Sequence, residues 1–293
     1  MLGLLRRAIG IPKLEASIRE SHRSLASLLE EKKAKSFAQS MPLILSGEVS
    51  QDDLLHLCGL MAPAGVEGFR KIRLGNAHDG GYIFLDDFQE ISQVISCGIS
   101  NDVTCDLAFA ELGKPVVQFD HTVDGPPVPH PKFQFRKQAI DALGTIPGSV
   151  RLWDVVSEVG DPARTDLLLK IDIDGDEWTT FAGFPVDSLK RFRQISCEFH
   201  WSSKLADPEH FALCLRAVEN IRKSFFPVHV HANNFVGFAN VMGVPIPEVF
   251  EVTFVNASIY RAGKAQKEPR SELDSPNNPD APDLYLGSPF RVG

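Results

Sequence analysis

The pattern of apolar and polar positions from Phe69 onward alternates between short β-branched runs and longer helical stretches. Buried strands separated by helix-length segments are typical of a mostly parallel sheet with crossover helices. We therefore predict a doubly wound α/β fold with a seven-stranded sheet. The predicted strands are residues 94–96, 116–119, 133–139, 167–171, 194–199, 227–231 and 249–255, and the helices 102–112, 178–181, 186–191 and 208–224.

The N-terminal part has a different pattern, rich in charged residues and leucine. Residues 13–35 have apolar positions at heptad-like spacing, which predicts a helix and would also allow a short coiled coil in a homodimer. These positions are Leu14, Ile18, Leu25 and Leu28. A second helix is predicted at 51–60, after Ser50 as N-cap. The predicted organisation is an N-terminal helical extension, 1–65, and a main domain, 66–293, with a Pro-, Asn- and Asp-rich loop, 265–282.

The first ten residues are a candidate interfacial helix. Leu2, Leu5 and Ile9 share one helical face, with Arg6 and Arg7 beside it. We prefer docking of this helix on the domain, and peripheral contact with the inner face of a membrane is the alternative. The segment lacks the cleavage site of a secretion signal, and the sequence has no run of about 18 apolar residues that would span a membrane.

Charge and cysteine content narrow the class of partner. The formal net charge of -8 and the pI near 5.6 argue against a nucleic-acid binder, which needs a basic face. The five cysteines are odd in number and form no Cys-x-x-Cys pair, which suits a reducing compartment. We expect a cytoplasmic protein that acts on a small molecule or a glycan.

Polar residues follow the first two predicted strands, where an open α/β sheet binds its ligands. Gly98 follows the first strand, and a helix begins near Asp102. Asp120 ends the second strand, about 20 positions beyond the glycine, where an acid can accept both hydroxyls of a ribose. Taken singly, Gly98 is more simply a tight turn and Asp120 a helix cap. Together they indicate a nucleoside, and because the G-x-G-x-x-G fingerprint is absent, S-adenosylmethionine is favoured over a pyrophosphate cofactor.

Six blocks of sequence carry a resemblance to a known family. They are RLGNAHDGGYIFLDDF (73–88), VISCGISNDVTCDLAFAELG (94–113), VVQFDHTV (116–123), LLLKIDIDGDEW (167–178), QISCEFHW (194–201) and HVHANN (229–234). In order and content this series resembles the FkbM-type and related class I methyltransferases, which have a Rossmann-like fold and use S-adenosylmethionine. Ser96 departs from the pattern, since many methyltransferases have an acid there. Many members of the family decorate sugars or cell-surface polysaccharides.

The resemblance implies a set of cofactor contacts. Gly98, Asn101 and Asp102 would hold the methionine end, Asp120 the ribose, and the loop around Ile140 the adenine. The loop 78–82, with Asp79 and Gly80, precedes the first strand and is either a further cofactor contact or a hairpin turn that needs a positive φ.

Four acids lie close together after the fourth strand, namely Asp172, Asp174, Asp176 and Glu177. The spacing fails as a calcium loop, because the sixth position is Glu177 and the twelfth is Gly183. Asp172 and Asp174 also match the D-x-D with which glycosyltransferases hold a divalent ion on a nucleotide sugar. For Asp174, Asp176 and Glu177 we prefer a simpler interpretation, acids in the first turn of a helix that begins near Trp178.

Carboxylates and imidazoles at neighbouring strand ends predict a site for proton transfer or a metal. Asp172 follows the fourth strand, Glu198 and His200 share a face of the fifth, and His231 ends the sixth. We predict that Asp172, Glu198, His200 and His231 bind Mg²⁺ or Mn²⁺, with Zn²⁺ and Fe²⁺ left open. Asp172, His200 and His231 are the predicted catalytic residues. The alternative is a metal-free site in which hydrogen bonds orient these groups.

The expected function is an S-adenosylmethionine-dependent O-methyltransferase that acts on a sugar or glycan hydroxyl, with or without help from a divalent ion. A metal-dependent nucleotide-sugar glycosyltransferase is the second hypothesis. The third is a Rossmann-like interaction module without catalysis.

Overall fold

The computed structural model describes residues 41–265 and 271–291, together with nine helical, exposed residues between 13 and 32. The remaining positions of the predicted helix 13–35, and the candidate interfacial helix, lie outside the described residues. Nowhere in the described part does a helix combine the length and the apolar character that crossing a bilayer requires. All five cysteines are buried and none is disulfide-bonded.

The described residues from 41 onward form strands and helices that are numbered in chain order. The strands are β1 (Leu43–Ile44), β2 (Ala64–Val66), β3 (Lys71–Leu74), β4 (Tyr82–Leu85), β5 (Gln93–Cys97), β6 (Val116–Phe119), β7 (Phe133–Arg136), β8 (Leu167–Ile171), β9 (Phe192–His200), β10 (Phe225–Ala232), β11 (Phe238–Val241), β12 (Val244–Pro247), β13 (Val249–Asn256) and β14 (Ala262–Ala265). The α-helices are α1 (Gln51–Leu60), α2 (Thr104–Glu111), α3 (Leu152–Glu158), α4 (Glu177–Gly183), α5 (Val186–Leu189) and α6 (Pro208–Arg222). Two 3₁₀ helices cover Ser202–Ala206 and Ser288–Phe290.

The central sheet has seven strands in the order β10-β13-β9-β8-β5-β6-β7. Six of them are parallel, and β13 runs antiparallel between β9 and β10. The chain enters at β5, builds outward through β6 and β7, and then returns to β8 on the other side. The strand order therefore switches direction between β5 and β8, which is where such sheets bind ligands.

This sheet confirms the predicted α/β fold with seven mostly parallel strands. Each predicted strand corresponds to one observed strand of the sheet, although β7 ends at Arg136, three residues earlier than expected. Helix α1 begins as predicted, with Ser50 and Asp53 forming a reciprocal capping box. Helix α3 has no predicted counterpart, because Arg151 at its N-cap provides no side-chain hydrogen bond and hence no start signal.

The core lies on both faces of the central sheet. All five residues of β8 are buried, as expected for a strand covered on two sides. Leu54, Leu57 and Cys58 of α1 belong to the same apolar cluster as the sheet residue Phe199. Residues 41–65, which the sequence analysis assigned to the extension, thus share the core of the main domain.

Smaller elements cover the edges and the mouth of the sheet. Strands β3 and β4 form a hairpin before β5, and β1, β11 and β12 form a three-stranded sheet. The described part of the C-terminal loop lies beside β10, where the Asn234 amide donates to the carbonyl of Asn278 at 2.9 Å. Asn277, in the same loop, is 1% exposed. This loop therefore forms part of the packed structure near the strand ends.

Candidate functional site

A cavity of about 310 Å³ opens beyond the carboxyl ends of β5 and β8, at the switch in strand order. Gly98 and Asp172, the first residues after these two strands, both line it. A smaller hollow of about 100 Å³ shares Gly98, Asp172 and Asp79 with the cavity. The polar residues predicted from strand ends thus meet around one space.

Asp172, Glu198 and His200 form a group with the composition of a metal site. Each offers a ligand atom, and these atoms lie within 4.8 Å of one another. His200 Nε2 is 3.8 Å from Asp172 Oδ1 and 3.9 Å from Glu198 Oε1. Ligands about 2.1 Å from one ion lie about 3 to 4 Å apart, so a small contraction would bring all three into coordination. Two carboxylates and one imidazole suit Mn²⁺ or Mg²⁺ and also admit Fe²⁺ or Zn²⁺.

Asp172 is held by one oxygen and presents the other to the group. The Tyr82 hydroxyl donates to Asp172 Oδ2 at 3.1 Å, and Lys170 Nζ lies 3.7 Å from the same atom. Lys170 is buried, which lowers its pKa, but the carboxylates of Asp172 and Asp106 outweigh burial and raise it. Asp172 Oδ1 faces His200. Tyr82 and Lys170 were not predicted, because both precede the strand ends that guided the sequence analysis.

Glu198 is a buried carboxylate among other carboxylates. It is 4% exposed, pairs in register with Glu251 of β13, and accepts a hydrogen bond from the Asn233 amide at 2.9 Å. Burial raises the pKa of Glu198 well above its ordinary value, and Asp172 and Glu251 raise it further. A cation between Glu198 and Asp172 would favour the charged form of both, so the electrostatics fit a divalent ion.

His200 has a carboxylate on each side of its ring. Its Nε2 faces the ligand group, and its Nδ1 lies 3.2 Å from Glu177 Oε1. Burial lowers the pKa of His200, but Glu177 and Asp172 outweigh burial and raise it above the ordinary value. Glu177 does begin helix α4, as predicted, yet it is fully buried and contacts the site.

His231 is not part of the ligand group found among the described residues. Its Nε2 lies 3.0 Å from Asp283 Oδ1 in the C-terminal loop, and its cross-strand neighbour is Glu251. The predicted role of His231 as a metal ligand is therefore corrected. The prediction placed the sixth strand beside the fifth, whereas the antiparallel strand β13 separates β10 from β9.

Asp120 lines the cavity, but both oxygens of its carboxylate already accept hydrogen bonds from within the protein. Oδ2 accepts from the backbone N–H groups of Ile99 and Ser100 at 3.0 and 2.8 Å, and Oδ1 accepts from the backbone N–H and hydroxyl of Thr122 at 2.7 and 2.6 Å. Burial raises the pKa of Asp120, but these hydrogen bonds outweigh it and lower the pKa. A ribose hydroxyl at Asp120 would share an oxygen with Thr122 or displace its hydroxyl.

Position 98 requires glycine because the residue after β5 passes very close to the backbone of the residue after β8. Its φ is +74°, and a Cβ there would lie 1.6 Å from the Asp172 carbonyl oxygen. The Lys170 ammonium donates to the Gly98 carbonyl. The glycine thus brings the cavity loop and Asp172 together, in addition to leaving backbone open toward a ligand.

The other predicted cofactor residues surround the smaller hollow. Asp79, Gly80, Asn101 and Asp102 all line it. Asp102 Oδ1 accepts from the backbone N–H and hydroxyl of Thr104 at 2.7 and 2.6 Å, so it also supports the start of α2. A Cβ at Gly80 would lie 2.5 Å from the Asp102 carboxyl carbon. The loop 78–82 therefore depends on glycine to lie against Asp102.

Apolar side chains form part of the wall of the large cavity. This apolar wall consists of Phe119, Ala139, Ile140 and Ile146, and Ile140 belongs to the loop predicted to contact adenine. Asp141 orders this wall, because its carboxylate accepts from the backbone N–H groups of Leu143, Gly144 and Ile146 at 2.8 to 3.0 Å.

The remaining acids of the 172–177 stretch face the cavity. Asp174 Oδ1 lies 3.9 Å from His200 Nε2, with its side chain 92% exposed. Asp176 also lines the cavity and makes no capping hydrogen bond to α4.

Searches of protein-family models and of curated proteins found no match to this chain.

Proposed function

We propose that this protein is an S-adenosylmethionine-dependent O-methyltransferase for a sugar or glycan hydroxyl, assisted by a divalent ion at Asp172, Glu198 and His200. The single observation that carries the proposal is the charge of the cavity. Its lining includes six carboxylates and, among the described residues, neither lysine nor arginine. S-adenosylmethionine carries a sulfonium and an ammonium against one carboxylate, so it matches an acidic cavity.

The same charge disfavours the glycosyltransferase hypothesis. A nucleotide diphosphate brings negative charge, and proteins usually meet it with basic side chains or a helix N-terminus. One observation favours the glycosyltransferase hypothesis, because Asp172 and Asp174 of the D-x-D sequence both lie within 3.9 Å of His200 Nε2. Nucleotide sugars therefore belong in the first binding experiment.

The shape of the cavity also supports a nucleoside ligand. The apolar wall of Phe119, Ala139, Ile140 and Ile146 lines the same cavity as the acidic strand ends. An adenine ring would bury apolar surface on that wall, while the charged end of the ligand would reach Asp79 and Asp102 at the smaller hollow.

In the proposed reaction the protein binds the two substrates, orients the acceptor hydroxyl toward the methyl group and removes the hydroxyl proton. Bound S-adenosylmethionine would supply an electrophilic methyl group, and a bound Mg²⁺ or Mn²⁺ would lower the pKa of an acceptor hydroxyl. Tyr82 and Lys170 fix Asp172, and Asn233 fixes Glu198, so the group keeps its geometry when the cavity fills. If His200 Nε2 held an ion, the exposed Asp174, whose Oδ1 lies 3.9 Å from that nitrogen, would be placed to accept the hydroxyl proton.

Titration calorimetry tests the proposal with S-adenosylmethionine, S-adenosylhomocysteine, UDP-glucose and GDP-mannose, each with and without Mn²⁺. We expect micromolar binding of the first two ligands. Binding of a nucleotide sugar alone would overturn the methyltransferase assignment, and binding of none of the four would favour an interaction module.

A pair of variants on one loop locates the binding site. Ile146→Lys removes apolar surface from the wall and adds a positive charge that opposes the cationic ligand, so it should weaken S-adenosylmethionine binding about tenfold or more. Leu143→Lys, at a side chain that is 71% exposed, is the matched control and should bind normally. Equal affinity of the two variants would show that the nucleoside lies elsewhere.

A further inference from the structure

Glu177 is a buried carboxylate that helix formation does not explain. It is fully buried in the first turn of α4, where an acid at the surface would already benefit from the helix dipole. Burying a carboxylate is costly unless hydrogen bonds or a positive charge compensate. The partners of this carboxylate therefore indicate its purpose.

Both oxygens of Glu177 are held by the turn that carries Asp172. Oε1 accepts from the backbone N–H of Ile173 at 2.7 Å, and Oε2 accepts from that of Gly175 at 2.9 Å. This turn is conformationally unusual, since Asp174 has φ +55° and Gly175 has φ +115°. Two fixed oxygens on a rigid turn give Glu177 one orientation.

That orientation brings Glu177 Oε1 to 3.2 Å from His200 Nδ1. His200 Nδ1 is buried and makes no aligned hydrogen bond to any described residue, so the carboxylate of Glu177 beside it is the acceptor that a small rotation of the ring would engage. The backbone of His200 is fixed separately, because the Trp178 indole N–H donates to its carbonyl at 2.8 Å. Only the ring's tautomer and rotation are then left for Glu177 to determine.

We propose that Glu177 is a positioning residue that accepts the Nδ1 proton of His200 and so presents the unprotonated Nε2 to the ligand group. A neutral imidazole carries one proton, and the hydrogen bond at one nitrogen decides which nitrogen is free to bind. Nε2 faces Asp172 Oδ1 at 3.8 Å and Glu198 Oε1 at 3.9 Å. Buried carboxylates behind histidine ligands orient metal sites in this manner, and their loss weakens metal binding about 10- to 100-fold.

The same contacts let Glu177 couple two elements of the site. Its carboxylate oxygens accept from backbone N–H groups of the turn that follows β8, and its contact with Nδ1 holds a side chain of β9. Removing the charge should therefore disturb the ligand group without removing any ligand. This assignment rests on the proposed metal site but not on the identity of the nucleoside or the acceptor.

The test measures the tautomer directly and metal binding separately. Nitrogen-detected NMR of histidine side chains in alkaline buffer, with His200→Gln to assign the signal, should show His200 protonated at Nδ1 in the unsubstituted protein. Glu177→Gln keeps the size of the side chain and should shift His200 toward the Nε2–H form. It should also weaken Mn²⁺ binding about 10- to 100-fold by calorimetry, and Glu177→Asp should restore part of that affinity.

Glu248→Gln is the matched control. Glu248 Oε2 accepts from the backbone N–H of Ser203 at 2.9 Å, so this variant also loses an acid that holds backbone near β9. It should leave the tautomer and the Mn²⁺ affinity unchanged.

Three outcomes decide the matter. An Nε2–H tautomer of His200 in the unsubstituted protein would overturn the assignment. So would a Glu177→Gln variant that has a lower free energy of unfolding but keeps the Nδ1–H tautomer and a Mn²⁺ dissociation constant within about twofold of the original. The expected tautomer and Mn²⁺ results without any binding of S-adenosylmethionine would refute the proposed function and leave the role of Glu177 intact.

Discussion

Neutralising Glu198 should change stability in opposite directions with and without metal. Glu198 and Asp172 carry ligand oxygens within 4.8 Å of each other in a buried site. At that separation two full charges repel by about 3 kcal/mol at an effective dielectric constant of about 20. Glu198→Gln removes this repulsion and keeps an acceptor for the Asn233 amide. Without metal the variant should equal the unsubstituted protein or exceed it, by up to about 3 kcal/mol.

A bound ion reverses the sign of the difference in unfolding free energy between Glu198→Gln and the unsubstituted protein. An ion that binds only the folded state stabilises it by about 2.7 kcal/mol when its free concentration is 100 times its dissociation constant. The unsubstituted protein should show this gain with Mn²⁺, and Glu198→Gln should lose most of it because one of three ligands is gone. Urea unfolding in EDTA and in Mn²⁺ measures both free energies.

Glu251→Gln is the matched control for this comparison. Glu251 is a buried carboxylate on the neighbouring strand, paired in register with Glu198, but it lies outside the ligand group. The control should keep the full response to Mn²⁺. The reasoning is refuted if Glu198→Gln is destabilised by more than about 1 kcal/mol in EDTA, or if both variants respond equally to Mn²⁺.

Three further predictions concern the surroundings of the site, and urea unfolding measures each. Gly98→Ala should cost more than about 3 kcal/mol, because its Cβ would lie 1.6 Å from the Asp172 carbonyl oxygen; a smaller loss would contradict the close approach. Burial raises the pKa of Asp141, but backbone hydrogen bonds outweigh it and lower the pKa to about 2. Asp141→Asn should therefore cost about 1–2 kcal/mol near neutral pH after allowance for solvent, fading as the pH falls from about 4 to 2; a constant cost would contradict this. Burial lowers the pKa of His231, but the hydrogen bond to Asp283 and the charges of Glu251, Asp274 and Asp283 together outweigh burial and raise the pKa. The His231–Asp283 pair therefore stabilises the fold fully below the unfolded pKa of histidine, and this stabilisation is lost as the pH rises through the folded pKa. Asp283→Asn should cost about 1–2 kcal/mol near pH 6 and less near pH 9, and the reverse order would refute the pairing.

The sheet could be predicted because its strands are short apolar runs with polar residues between them. Apart from the edge strand β7, these runs are largely buried on both faces, so the pattern reports the strand without tertiary information. The strands of the peripheral sheets were not predicted, for the opposite reason, although a hairpin turn at 78–82 was one of the two interpretations of that loop. Strand β3 is largely half-buried, and its position depends on pairing with β4, which local sequence does not encode.

The ligand group shows where prediction from sequence ends. Asp172, Glu198 and His200 follow or occupy adjacent parallel strands, and parallel strands bring their ends together. His231 follows the same pattern, but the order of strands across a sheet is a tertiary property. Strand β13 lies between β9 and β10, so His231 lies apart from the ligand group and contacts Asp283 instead.

The acidic stretch 172–177 shows why composition alone could not separate function from helix capping. Asp172 and Glu177 flank a turn whose left-handed residues, Asp174 and Gly175, reverse the chain within a few positions. This reversal brings both acids to opposite nitrogens of one imidazole, with His200 Nε2 facing Asp172 and Nδ1 facing Glu177. Asp174, at the tip of the same turn, is left in solvent. An acid that begins a helix can therefore also serve a site, and what distinguishes Glu177 from an ordinary first-turn acid is its complete burial.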